Sequence, residues 1–276
     1  MRRVILRYPI YQVDAFTNRA FRGNPAAVMP LEEWMKDDVL QAIAAENNLA
    51  ETAFFRTGAD DAFELRWFTP TVEVDLCGHA TLATAFILMT EIDPDMEEVA
   101  FDTRSGRLSV ARKGTDLFVL DFPAHEIMPI NTPDTVAAAI GKTPTEAFAG
   151  KSGGNYLFVY EHESDIAELA PDMAALVKAV GDLEWGVICT APRESGKGDC
   201  VSRYFAPAHG IPEDPVTGSA HCMVAPYWAQ RLGQNSIHAF QISARGGELF
   251  CEVRGDRVEI AGRAVKFLEG IAHVPG

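Results

Sequence analysis

The chain has no long apolar run, no basic cluster, no cysteines at metal or redox spacing and no low-complexity tract, and each absence removes a class of protein. Without about 18 or more consecutive apolar residues, no membrane-spanning helix is expected. The opening MRRVILRYPI is apolar only over Val4-Ile5-Leu6 before Arg7 and Pro9 interrupt it, too short a core for a secretory leader. The five cysteines, Cys77, Cys189, Cys200, Cys222 and Cys251, are odd in number and scattered. That pattern excludes a disulfide framework and fits a reducing compartment, so the expected location is cytoplasmic. There are 24 Lys and Arg against 39 Asp and Glu, for a formal net charge of −15. A nucleic-acid or anionic-membrane surface needs clustered cations, so neither partner is expected. No GxGxxG or Walker pattern occurs, which argues against a nucleotide cofactor. Cys77, His79, His209, His221 and Cys222 lack CxxC or HExxH spacing, so no metal is expected.

What is present is enough apolar sequence for two cores, and a motif that occurs twice. A chain of 276 residues, 47% hydrophobic and with 16 Phe, lies near the roughly 250–300 residues at which one core divides. The stretch RWFTPTVEVDLCGHATLATAFILM (66–89) returns as RYFAPAHGIPEDPVTGSAHCMVAPYWAQRL (203–232). Each copy opens with Arg, an aromatic, Phe, a small residue and Pro, then passes an acidic residue and a Gly into small and apolar residues. Arg203 follows Arg66 by 137 positions (203−66) and Gly218 follows Gly78 by 140 (218−78), so the later copy has three extra residues before its glycine. A repeat of half the chain implies two similar domains related by a pseudo-two-fold axis, with a site shared between the copies. The expected domains are 1–125 and 126–276. Whether the final strand, near 265–271, crosses back to the first is left open.

Alternation predicts strands over 10–16, 26–29, 53–55 and 63–68, and helical spacing over 34–47 puts Val39, Leu40, Ile43 and Ala44 on one face. Glu51 stands at a strand entrance among Leu49, Ala50, Ala53 and Phe54. Exposure is the usual fate of Glu, but these neighbours favour partial burial, which would raise its pKa toward a working range. The turn-rich segment 17–25 closes on Gly23-Asn24-Pro25, so Asn24 reads first as a turn residue and second as a substrate contact. A meander follows over 100–122, and Pro123, Pro129 and Pro133 mark the passage to the second half. There, helices are expected over 136–140 and 173–180. Strands are expected over 155–160, 186–190, 201–205, 239–243, 248–253, 257–260 and 265–271. Each half is strand-rich with one apolar helix after its motif, an α+β architecture built twice.

Gly78-His79 and Gly218-Ser219 sit where a loop enters a helix. The first N–H groups of a helix lack internal partners and carry partial positive charge, so two such starts can hold the carboxylate of a small anionic substrate. A simpler reading has both glycines opening core helices capped by Asp75 and Asp214. The matched upstream RxFxP runs favour binding. Asp214 also reads as a turn acid before Pro215.

The runs AFTNRAFRGNPAAV, NNLAETAFF, FTPTVEVDLCGHATLATA and FAPAHGIPEDPVTGSAHC resemble the PhzF-like isomerase family, named for an enzyme of phenazine biosynthesis, over nearly the whole chain. The resemblance implies a diaminopimelate epimerase-like fold, in which each domain is an antiparallel β-barrel around a central α-helix. It implies that Glu51 moves a proton between carbons of an unsaturated, carboxylate-bearing ring without a cofactor. On the same ground His79 and Asp214 assist, and Gly78, Gly218 and Ser219 contact the substrate. A homodimer in a biosynthetic process is the expected setting.

The departures from the epimerase relatives matter as much. Those enzymes use one cysteine from each half as a two-base pair. Here Cys77 precedes Gly78, but Thr217 precedes Gly218 and is no base near neutral pH. Glu51 has no partner either, since a half-chain offset places Gly186 at its position. One base suits a suprafacial transfer, in which one carboxyl takes a proton from one carbon and returns it to another. Two alternatives stay open: an epimerase using Cys77 with Glu51, and a ligand- or partner-binding member of the fold without turnover.

Overall fold

The structure is a computed structural model and describes residues 5–275. It divides into two compact units: residues up to Asp121 together with those from Ala261 onward, and Phe122–Ile260. Among the described residues, no helix is long and apolar enough to cross a membrane.

In the first unit β1 (Ile5–Ala15) pairs antiparallel with β2 (Asn24–Pro30), and α1 (Asp37–Asn47) carries the chain over to β3 (Glu51–Thr57), which runs parallel to β2. β4 (Phe63–Phe68) returns antiparallel to β3, and the short β5 (Glu73–Val74) returns antiparallel to β4. Then come α2 (Gly78–Ile87) and the meander β6 (Glu98–Thr103), β7 (Gly106–Lys113) and β8 (Leu117–Pro123).

The second unit opens with β9 (Ile127–Pro129), α3 (Asp134–Ile140) and β10 (Glu146–Gly150), the two strands pairing antiparallel. β11 (Asn155–Val159) leads through α4 (Glu163–Ala167) and α5 (Met173–Val180) to the parallel β12 (Gly186–Pro192). β13 (Cys200–Ala206) and β14 (Ile211–Asp214) form the hairpin before α6 (Gly218–Leu232). β15 (Ser236–Gln241), β16 (Gly247–Arg254) and β17 (Arg257–Gly262) complete it. The last strand, β18 (Ala264–Pro275), lies in the first unit, antiparallel to β1 from Ala15↔Ala264 to Ile5↔Pro275.

The repeat is therefore one supersecondary pattern: a parallel strand pair with a helical crossover, an antiparallel hairpin, and a helix. Register makes the correspondence residue by residue. Ala26↔Glu51 and Thr52↔Phe68 in the first unit match Asn155↔Gly186 and Val187↔Phe205 in the second.

Each repeat ends in a helix too apolar to face water. In α2, His79 to Ala85 and Ile87 are all buried, and the helix packs against β1, β2, β3, β7 and β18; a helix without a polar face is enclosed. Its buried threonines are satisfied locally, Thr81 donating to the Cys77 carbonyl (2.6 Å) and Thr84 to that of Ala80 (2.8 Å). α6 is buried through most of its length although Pro226 lies inside it. Proline cannot donate to the carbonyl four residues back, and that carbonyl, of Cys222, accepts instead from the His125 amide (2.9 Å).

Two expectations need correction. Asn24 is not a turn residue: it opens β2 and is completely buried. The turn is made by Gly23, at φ +67°, where a Cβ would stand 2.1 Å from the Ala15 carbonyl oxygen. The first helix starts at Asp37 rather than Trp34. Trp34 lies before it, its indole donating to Glu64 (2.5 Å) and the guanidiniums of Arg56 and Arg66 standing 5.6 and 5.2 Å from the ring centre.

Candidate active site

The twin motifs owe their opening residues to a shared brace. Arg66 binds both oxygens of Glu73 (2.7 and 2.8 Å), and Arg203 binds both oxygens of Glu213 (2.7 and 2.9 Å). Each guanidinium also sits by the Phe two residues on, 5.2 Å from Phe68 and 4.9 Å from Phe205. The pairs clamp the hairpins that deliver the chain to α2 and α6. The acid that repeats is thus Glu73 with Glu213, not Asp75 with Asp214. Neither helix has a side-chain cap or an acid in its first turn. Asp75 is exposed, 3.8 Å from Arg104.

In the first unit the ends of three elements meet. Glu51 is the first residue of β3, Asn24 the first of β2, and His79 the second of α2, with Cys77 at the N-cap. Glu51 is 8% exposed and His79 5%. His79 Nε2 stands 2.9 Å from Glu51 Oε2. The two atoms are close enough for a hydrogen bond but are not aligned as one, so each is a buried polar atom whose bonding direction no described residue fills. Such atoms are rare outside sites of function. On the other edge of the ring, Nδ1 lies 3.1 Å from Asn24 Nδ2 and 3.5 Å from Cys77 Sγ.

Burial, with Glu51 adding to it, pushes the Cys77 thiol up, so the sulfur keeps its proton. Burial is the largest influence on His79 and works against a charge; the pull toward one comes first from negative charge at Cys77, which a protonated thiol does not carry, and then from Glu51. With the thiol protonated, Glu51 is the partner that supplies this pull. Ligand atoms of Glu51, Cys77 and His79 lie within 4.8 Å of one another. The imidazole stands between the other two, however, with a different nitrogen toward each.

In the second unit Asp214 ends β14, cross-strand from Tyr204, as Val74 is from Trp67 in the first. Asp214 is buried and accepts a hydrogen bond from the Thr217 hydroxyl. Gln241, fully buried on β15, donates to the Asp214 carbonyl (2.7 Å) and the Thr217 hydroxyl (3.2 Å) and accepts from the Thr217 amide (2.8 Å). Gly218 is buried and Ser219 exposed at the start of α6. His221, one turn on, donates from Nδ1 to the Thr217 carbonyl (2.7 Å), and burial pushes its pKa down to about 4, so it is neutral.

The place of Glu51 is taken in this unit by Gly186, for a visible reason. A Cβ there would lie 2.2 Å from the Tyr204 hydroxyl and 2.6 Å from Asn155 Oδ1. That hydroxyl donates to Asn155 (2.9 Å), and burial, aided by Asp214, pushes it up to about 12. A neutral phenol and an amide occupy the slot that a carboxyl fills in the first unit.

Of the residues singled out from sequence, Glu51, Gly78 and His79 come together in the first unit, and Asp214, Gly218 and Ser219 in the second. Sequence reasoning underrated Asn24 and missed Tyr204 and Gln241. Asn24 and Tyr204 lie inside the quoted motifs; Gln241 carries no local signal.

A family model described as phenazine biosynthesis-like protein (PhzC-PhzF) matches residues 13–270. An uncharacterized isomerase of Pseudomonas aeruginosa is 51% identical over 265 residues, covering 96% of this chain and 98% of its own. The crystal structure of a PhzF-family phenazine biosynthesis protein from Enterococcus faecalis has a TM-score of 0.89 at 46% identity, over 98% of this chain and 100% of that one. A hydroxyproline epimerase of Agrobacterium vitis, solved with trans-4-OH-L-proline, has a TM-score of 0.61 at 12% identity, over 100% of this chain and 93% of that one. That last likeness is one of fold: the α+β, diaminopimelate epimerase-like architecture.

Proposed function

The chain belongs to the phenazine biosynthesis-like (PhzF) family and is an isomerase, and on that premise we propose that it moves a proton between carbons of a small, cyclic, unsaturated carboxylate, with Glu51 as the acid/base. The observation that carries this reading is the asymmetry of the repeat. A buried carboxyl beside an imidazole stands at one position, and Gly186 stands at its equivalent.

Glu51 accepts a proton from an acidified carbon, the C–H electrons pass into the conjugated system and its carboxylate, and the same carboxyl returns the proton to another carbon on the same face. His79 steadies the charge on Glu51 while it is a carboxylate. Asp214, held by Thr217, assists, and the uncapped starts of α2 and α6, at Gly78 and at Gly218-Ser219, offer N–H groups to substrate oxygens. An epimerase use of Cys77 is disfavoured because its protonated sulfur faces the imidazole edge opposite Glu51.

The test is turnover of carboxylated cyclic compounds in deuterated water, with any ligand carried through purification identified by mass spectrometry. Glu51→Gln keeps the size of the side chain and loses the base, so it should bind substrate and lose at least about 1,000-fold in kcat. A Glu51→Gln enzyme that keeps most of its activity overturns the one-base mechanism.

A further inference from the structure

The two edges of the His79 ring meet different chemistry. Nε2 faces the Glu51 carboxyl at 2.9 Å, and Nδ1 faces the amide nitrogen of Asn24 at 3.1 Å and the Cys77 sulfur at 3.5 Å. An amide NH2 group only donates, and a protonated thiol donates as well, so Nδ1 has two donors around it and must offer its lone pair. A neutral imidazole in that setting carries its proton on Nε2, the nitrogen beside the carboxylate.

Asn24 is placed to impose this choice. It is completely buried, it is fixed in register opposite Ala15, and it lies between Gly23, whose turn admits no side chain, and Pro25. We propose that Asn24 is a positioning residue that holds His79 in the Nε2–H tautomer, so that Glu51 meets the substrate as a carboxylate ready to accept a proton. The opposite tautomer would leave an unprotonated nitrogen 2.9 Å from the Glu51 oxygen and favour the carboxylic acid, which would begin the reaction by giving a proton. The inference rests on the reading of Glu51 as the acid/base that first accepts a proton, and adds what keeps it ready to do so.

The groups acting on the charge of His79 are Glu51 from β3 and Cys77 from the turn before α2; Asp14, buried on β1, accepts from the Phe21 amide (2.8 Å). Nitrogen-15 NMR of the imidazole reads the tautomer directly, without substrate, with the His79 signals identified by their loss in His79→Gln. Between about pH 6 and pH 9, the neutral form of wild-type His79 should carry its proton on Nε2 alone. In Asn24→Asp, which keeps the shape but replaces the donor by an acceptor, both nitrogens should stay protonated across that range. A wild-type ring protonated on Nδ1, an imidazolium that persists to about pH 9 in the wild type, or identical spectra for the two proteins overturns the proposal. Should Asn24→Asp fail to fold, the wild-type spectrum alone decides. Because no turnover is involved, these outcomes are independent of whether Glu51→Gln retains activity.

Discussion

Gly186 and Glu51 occupy matching positions in the repeat, and on the mechanism proposed for Glu51 the difference between them separates a one-base enzyme from a two-base one. The tyrosine hydroxyl and asparagine amide around Gly186 leave no room for a side chain there, so a second base cannot be restored by substitution without displacing Tyr204. We expect Gly186→Glu to lower stability by several kcal/mol through overpacking, seen as a fall in the denaturation midpoint, and to create no racemase activity. For the residues around the base, His79→Gln and Asp214→Asn should each reduce kcat by about 10- to 100-fold, less than Glu51→Gln, because neither holds the travelling proton; equal losses in all three would refute this ranking. His221 gives a pH dependence of known sign. Its folded pKa, about 4, lies below the unfolded imidazole value, so between these values the unfolded chain binds the extra proton. Its contribution is complete above about pH 6.5 and is lost as pH falls toward about 4, to a total of about 3 kcal/mol. Urea melts across this range should show the slope, and His221→Gln should flatten it.

At the scale of elements, the site depends on how two hairpins are braced before their helices begin. Arg203 does more than pair with Glu213, since it also donates to the carbonyls of Ile166 (3.2 Å), in the last turn of α4, and Leu169 (2.7 Å), just beyond it. Arg66 has the corresponding second role through Asp37, at the start of α1 (2.8 Å). The α6 entry has an additional tie in Gln241. Replacing it by Leu leaves the Thr217 amide and Asp214 carbonyl without this partner, at a cost of about 2–4 kcal/mol. Thermal unfolding should register that loss, whereas a melting temperature like the wild type's would show the loop to be held without Gln241. Gly218→Val tests the other end of the same entry. If ligand oxygens approach the first amides of α6, calorimetry should show weaker binding in a protein that is still folded, and unchanged affinity would remove those amides from the binding scheme.

For the whole molecule, a net charge of −15 is a poor background for attracting an anion, so recognition of a carboxylate has to come from local donors. Crystals grown in sulfate are therefore expected to hold an anion at the start of α2 or α6, and a map with none at either would count against carboxylate capture there. The homodimer implied by the family resemblance predicts a sedimenting mass of twice the 30.1 kDa chain.

The repeat, the α+β class and the mismatch at Gly186 were legible in the sequence, because each is local or depends only on distance along the chain, whereas Glu51 stood out through the family resemblance. Strand alternation and helix spacing follow from covalent geometry, and a motif that returns after half a chain needs no coordinates to be noticed. Tertiary structure decided what those residues do to one another. Asn24 reads as a turn former because its neighbours are Gly and Pro, yet its amide meets an imidazole 55 positions away. That the repeated acid is Glu73 with Glu213 could not be read from the chain, because only strand register shows which carboxylate opposes the arginine-bearing strand. Gln241 had no signature at all, since a buried amide bonding three backbone and hydroxyl groups is recognised only once the chain has folded around it. Hydrogen bonds between distant segments are set by packing, and packing is what the linear pattern does not record.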